Sequence, residues 1–114
     1  MTDLKARLPL GEPSFFILLS LSPGPKHGYA ILKEVEALSD GRLRLSTGTL
    51  YGAISRFLDE GWIRRVDDPV IIQTGRKRKT YALTELGRRA LKAETMRMRQ
   101  LVTLAQSQTA RESL

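Results

Sequence analysis

Four consecutive cations, Arg76, Lys77, Arg78 and Lys79, directly follow Thr74 and Gly75. A row of cations beside a turn is chemistry suited to a polyanion, because each can neutralise a phosphate and release its counterion without a defined bond geometry. Upstream, Ser46, Thr47 and Thr49 bring three hydroxyls together. At a helix start, hydroxyls and free backbone N–H groups can take phosphates or base edges, whereas capping alone uses one hydroxyl. The rest of the inventory is sparse. With one histidine and no cysteine, the chain lacks thiolate zinc sites, disulfides and nearly every acid–base pair built on imidazole. The stretch TGRKRKT has no P-loop spacing, there is no glycine-rich dinucleotide fingerprint, and no serine sits in a nucleophile motif. No catalytic residue, metal site or cofactor is expected, and the chain reads as something other than an enzyme. Lys and Arg number 19 against 12 acids, a net charge of +7 over 114 residues, which favours a polyanionic partner and is silent about fold.

These groups need a scaffold. Pro13 suits the first turn of a helix, SFFILLSL follows it, and SPGP at 22–25 stops it, which predicts a first helix over about 13–21. A second helix begins near His27, presents Tyr29, Ile31, Leu32, Val35 and Leu38, and ends close to Ser39, with Gly41 beyond it. Ser46 or Thr47 caps a third, which runs to Glu60 and stops at Gly61. WIRRV and KTYAL are short and rich in strand formers, and the segment DDPVIIQTGRKRK between them predicts a hairpin with a long basic loop. Thr84 then caps a last helix with Glu85 in its first turn. The longest apolar run, FFILLSL, is far shorter than the roughly 20 residues a bilayer span needs. No membrane partner is expected, and a cytoplasmic location is.

Within the third helix, Leu50, Ile54, Phe57 and Leu58 mark one apolar face, while Gly48, Gly52 and Ser55 leave the opposite face nearly bare. Helix, helix, helix, hairpin, long helix is the order of a winged helix-turn-helix, and its recognition helix must enter a major groove about 12 Å wide. Small outer residues would give it clearance; the alternative is that they let another helix of the chain pack closely. Tyr51 lies on one flank, with either a packing role at the core edge or a hydroxyl reaching DNA open to it. Arg56 lies on the other flank, suited to phosphate or guanine, or to an acid within the chain. Lys26, His27 and Tyr29 open the second helix, whose N-terminus crosses the backbone in this class of fold; His27 could equally be a capping residue.

The motifs HGYAILKEV, STGTLYGAISRFLDEGWI and RKRKTYALTELGRRAL, in that order and spacing, resemble the PadR-like transcriptional regulators over roughly residues 14–92. The resemblance implies a winged-helix repressor of DNA that dimerises through its C-terminal helix, and many members release DNA when an effector or stress signal acts. Many also carry proline where this chain has Gly52.

The last helix independently suggests a partner. Leu91, Met98, Leu101 and Ala105, with Val102 beside them, recur at steps of seven, three and four, and a domain this small has no remaining surface to bury such a seam. The competing expectation is that residues past Arg99 fray. Met96, Met98 and Trp62 could line a small-molecule effector cavity, although methionine at helical spacing is more often core. The expected fold is mainly α with a small β-hairpin: an N-terminal arm at 1–11, a winged helix-turn-helix at 12–83, and a C-terminal dimerisation helix and tail at 84–114. The expected function is a sequence-specific, homodimeric regulator of double-stranded DNA. A winged-helix protein-interaction module and, with few aromatics to stack on bases, an RNA binder are the alternatives.

Overall fold

A helix apolar on every side belongs in the middle of a core, and α1 (Glu12–Ser20) takes that place, with Ile17 and Leu18 fully buried and Phe15, Phe16 and Leu19 partly so. The computed structural model describes residues 8–67 and 79–112. Pro13 sits in the first turn of α1, as its fixed φ allows. Around α1 pack α2 (Gly28–Leu38) and α4 (Glu85–Glu112). The core is completed by Ile31 and Val35 of α2, Leu50, Ile54 and Phe57 of α3 (Thr47–Glu60), and Ala90 and Leu91 of α4.

The sheet has three strands where a two-stranded hairpin is expected. β2 (Ile63–Asp67) and β3 (Lys79–Leu83) pair antiparallel, with Ile63 opposite Leu83 and Asp67 opposite Lys79. On the other side of β3 lies β1 (Lys26–His27), which places Lys26 opposite Tyr81 and His27 opposite Thr80. Two residues are too short to show a strand period, so β1 leaves no trace in the pattern of apolar positions. Its effect is to tie the start of α2 to the middle strand of the wing.

The joints between elements follow local chemistry. Ser46 caps α3 by accepting from the Thr49 N–H at 3.1 Å, and Gly61 ends it in the left-handed region at φ 75°. Thr84 accepts from the Gly87 N–H at 3.0 Å while its hydroxyl donates to the Gly61 carbonyl at 2.6 Å, so one side chain both caps α4 and fixes it to the end of α3. Gly87 is there for space. A Cβ on it would stand 1.9 Å from the Trp62 carbonyl oxygen, far inside van der Waals contact.

Three expectations are corrected. Leu38 and Leu58 stand at the surface, not on their helices' buried faces, and Ala53 fills the place beside Ile54. Leu91, expected on a free seam of the last helix, belongs to the core of its own chain. The end of the arm is docked: Leu10 packs on the core, and its N–H donates at 2.6 Å to the Glu94 carboxylate of α4. Glu94 is buried, and Arg97 donates to its other oxygen. The hydrogen bond from Arg97, aided by that from Leu10, holds the Glu94 carboxyl below the ordinary carboxylate range against the opposing effect of burial. At the start of α1, Glu12 receives a two-pronged hydrogen bond from Arg42 at 2.7 and 2.9 Å, which lowers its pKa and ties α1 to the loop before α3.

Candidate nucleic-acid interface

The outer face of α3 is open. A Cβ built on Gly48 or on Gly52 meets nothing within 4 Å, and Thr47, Thr49 and Ser55 are exposed beside them. Among the described residues, no other helix uses the glycines for close packing, so that alternative falls away. At the N-terminal end the hydroxyls are partly engaged with each other, since Ser46 donates to Thr49 Oγ1 at 2.9 Å while capping the helix. Thr49 retains its own hydroxyl proton for an outside acceptor, and Thr47 stands in solvent.

The two flanks of α3 are built differently. Tyr51, half-exposed, lays its hydroxyl over the first residue of α2: a Cβ on Gly28 would lie 2.6 Å from Tyr51 Oη. Gly28 is therefore what lets α3 and α2 close up here, and a glycine opening a helix was the sequence signal that could have flagged it. Both roles left open for Tyr51 are compatible with this placement, the ring against α2 and the hydroxyl at the surface. Arg56, exposed on the other flank, borders a cavity of about 230 Å³ shared with Pro9, Leu10, Ser14, Glu60 and Trp62. That flank faces the arm.

The start of α2 is occupied by structural tasks as well as being available. Lys26 donates its ammonium to the Ser20 carbonyl at 2.7 Å, at the negative end of α1. His27 is the N-cap of α2, its Nδ1 accepting from the Ala30 N–H at 3.3 Å, which is the capping alternative realised. Tyr29 projects outward with the Lys33 ammonium 5.6 Å from its ring centre. Of the basic run, Lys79 opens β3 and is exposed; Arg76, Lys77 and Arg78 lie outside the described residues.

On α4, Met96, Leu101, Val102 and Leu104 are each more than half exposed, Ala105 is exposed and Met98 is half-buried. Leu104 belongs with this apolar group although the seven-three-four spacing passes over it. Met96 and Trp62 do not meet: Met96 borders a separate cavity of about 360 Å³ with Leu8, Ala93, Arg97 and Gln100. Trp62 is in the core, stacked on Phe57 at 5.8 Å between ring centres, with its indole N–H unpartnered among the described residues. No group of three or more His, Cys, Asp or Glu side chains able to hold a metal occurs among the described residues, and no helix there is long and apolar enough to cross a membrane.

Comparison with known proteins agrees with this geometry. A PadR-like transcription factor from Bacteroides fragilis is similar, with a TM-score of 0.72 and 23% identity over 93% of this chain and 98% of that one. A PadR family transcription regulator from Clostridium difficile superposes with a TM-score of 0.71 at 24% identity, covering 85% and 97% of the two chains. Bacillus subtilis PadR, solved in complex with operator DNA, gives 0.61 at 25% identity over 70% of this chain and 44% of that one. An uncharacterised 37.1 kDa transposon protein of Streptomyces fradiae is 34% identical over 90 residues, 79% of this chain, and the chain spans only 24% of its length. The model of the transcriptional regulator PadR-like family matches residues 17–93. With α2, the open third helix and the paired strands of the wing lying inside that match, the chain belongs to the PadR-like family of winged-helix transcriptional regulators, a family of DNA-binding proteins and not of enzymes.

Proposed function

We infer that the chain is a homodimeric repressor that reads a two-fold operator in double-stranded DNA, with α3 in the major groove and the basic run of the wing on the phosphates. The observation that carries this reading is the outer face of α3: exposed, hydroxyl-bearing at its N-terminal end and open at Gly48 and Gly52. A protein-binding face would more naturally carry large side chains to bury. Bacillus subtilis PadR was solved with operator DNA, which supports the same use of the fold here. Ser46, Thr47, Thr49, Tyr51, Ser55 and Arg56 are assigned to bases and adjoining phosphates, with Tyr29 and the N-terminus of α2 on the backbone. Lys26 and His27 keep mainly their internal hydrogen bonds. The exposed apolar side chains of α4, Leu101, Val102, Leu104 and Ala105 with Met98, form the dimer contact, and an effector or stress signal releases the DNA.

Selection from a pool of random duplexes tests the reading. It should enrich a two-fold sequence whose half-sites lie about one helical turn apart, or a multiple of it. Binding to the enriched duplex should weaken steeply with salt. A pool that remains random after repeated rounds, or a preference for single-stranded RNA in competition, would overturn it.

A further inference from the structure

We propose that Arg65, on the strand leading into the wing, grips the phosphate that lies between the recognition helix and the wing. The proposal rests on the duplex-binding reading above and adds a contact residue to it that no motif in the sequence marks.

The strand period separates two neighbouring arginines. Arg64 and Arg65 are both exposed on β2, but successive side chains of a strand point to opposite faces. Arg65 is paired with Tyr81 and Arg64 with Ala82, and directly paired residues of an antiparallel ladder share a face. Arg65 therefore lies on the face of the sheet that carries Tyr81, together with the core residues Ile63 and Leu83. Tyr81 in turn is close enough to Tyr51 of α3 and to Arg65 for both to bear on its ionisation: burial raises its pKa most, Tyr51 raises it further, and Arg65 opposes them. Tyr51 reaches from there to Gly28 at the start of α2. Arg65, on the core-side face of the sheet, and Tyr51, whose hydroxyl lies over the start of α2, thus both stand beside Tyr81, between the flank of α3 and the strands of the wing.

That is where a strand of duplex must pass if α3 occupies the major groove and the wing reaches the neighbouring minor groove, since the two grooves are separated by a sugar–phosphate backbone. A guanidinium with five donors can meet a phosphate there in a two-pronged fashion, and the Tyr51 hydroxyl can add a further donor. Arg64, on the opposite face of the strand, has no route to the same phosphate.

Adjacency supplies the control. Arg64→Gln and Arg65→Gln each remove one charge from the same short strand, so any general effect of net charge is common to both. Anisotropy titrations with the duplex enriched by the parent chain, repeated across a salt series, should show Arg65→Gln weakened about tenfold. The slope of log affinity against log salt should be shallower by about 1.8, since each subunit of the dimer loses one phosphate contact at about 0.9. Arg64→Gln should stay within about twofold of the parent, and Arg65→Lys should recover the slope and only part of the affinity, because an ammonium keeps the charge and loses the fork. Equal losses in the two glutamine variants, or parental binding by Arg65→Gln, would overturn the proposal while leaving the duplex-binding reading intact. A parent chain that binds no duplex overturns both. Thermal melting of each variant checks the fold, and should Arg65→Gln fail to fold, Arg65→Lys with a parental salt slope and undiminished affinity would equally refute the fork.

Discussion

Gly52 places stability and function in opposition. It lies inside α3, exposed, with open space where a side chain would begin. Gly52→Ala should therefore gain the full difference in helix propensity, about 0.8–1 kcal/mol, with no clash to offset it. In a domain of this size that raises the melting midpoint by about 4 °C. Gly52→Leu should be nearly as stable, since leucine follows closely in the same ranking. Binding should go the other way. A helix with its side chains is about 10–12 Å across and the major groove is about 12 Å wide, so a branched side chain at the deepest point of insertion pushes the whole helix outward. Hydrogen bonds to base edges do not survive an outward shift of even about 1 Å. Losing one base contact in each half-site, at about 1–3 kcal/mol each, amounts to about 2–6 kcal/mol per dimer, or about 30-fold and more in affinity. The assay pairs a melting curve with anisotropy titrations against the selected duplex and a scrambled one. The leucine variant should be at least as stable as the parent, weak on the selected duplex and little changed on the scrambled one. Parental affinity for the selected duplex would show that this face of α3 does not enter the groove.

The same Gly→Ala exchange should reverse sign at Gly87, where the new methyl meets the Trp62 carbonyl at 1.9 Å; overpacking costs about 1–3 kcal/mol or more, read as a lowered melting midpoint. Glu94→Ala leaves the Leu10 N–H and Arg97 without their acceptor and should cost about 1–3 kcal/mol in a urea titration at neutral pH. Because the folded Glu94 pKa is depressed from 4.5, its contribution is present above that value and lost as pH falls through the folded pKa. The gap between the parent and Glu94→Gln should therefore narrow on acidification, and a gap independent of pH would contradict the assignment. Leu101→Glu with Leu104→Glu removes four half-exposed leucines per dimer, roughly 3–6 kcal/mol of burial and so about two to four decades in the dimer constant. Sedimentation should find folded monomers, whereas Leu91→Glu should unfold the chain; a persisting dimer in the first variant would place the subunit contact elsewhere.

Much of the architecture follows from local rules that spacing alone expresses. Ser46, Gly61 and Thr84 punctuate the helices where they stand in the chain, since capping depends on residues within one turn of each other. The bare face of α3 is likewise legible, because positions 48, 52 and 55 share a side of any helix built there. Periodicity, however, shows that an element has a face and leaves open what meets it. Leu91 and Leu101 both suit a seam by spacing, yet the first is enclosed by its own chain and the second stands half in solvent, because α1 covers only the N-terminal part of α4. Glu94 looks like any surface carboxylate until the backbone of Leu10, 84 positions earlier, supplies a donor that makes its burial tolerable. Gly28 and Gly87 owe their roles to side chain and backbone of other elements. Arg64 and Arg65 are chemically identical neighbours in the sequence. Only the register of β2 on β3, set by which strand face meets the core, decides that one of them shares the sheet face of Tyr81 and the other does not.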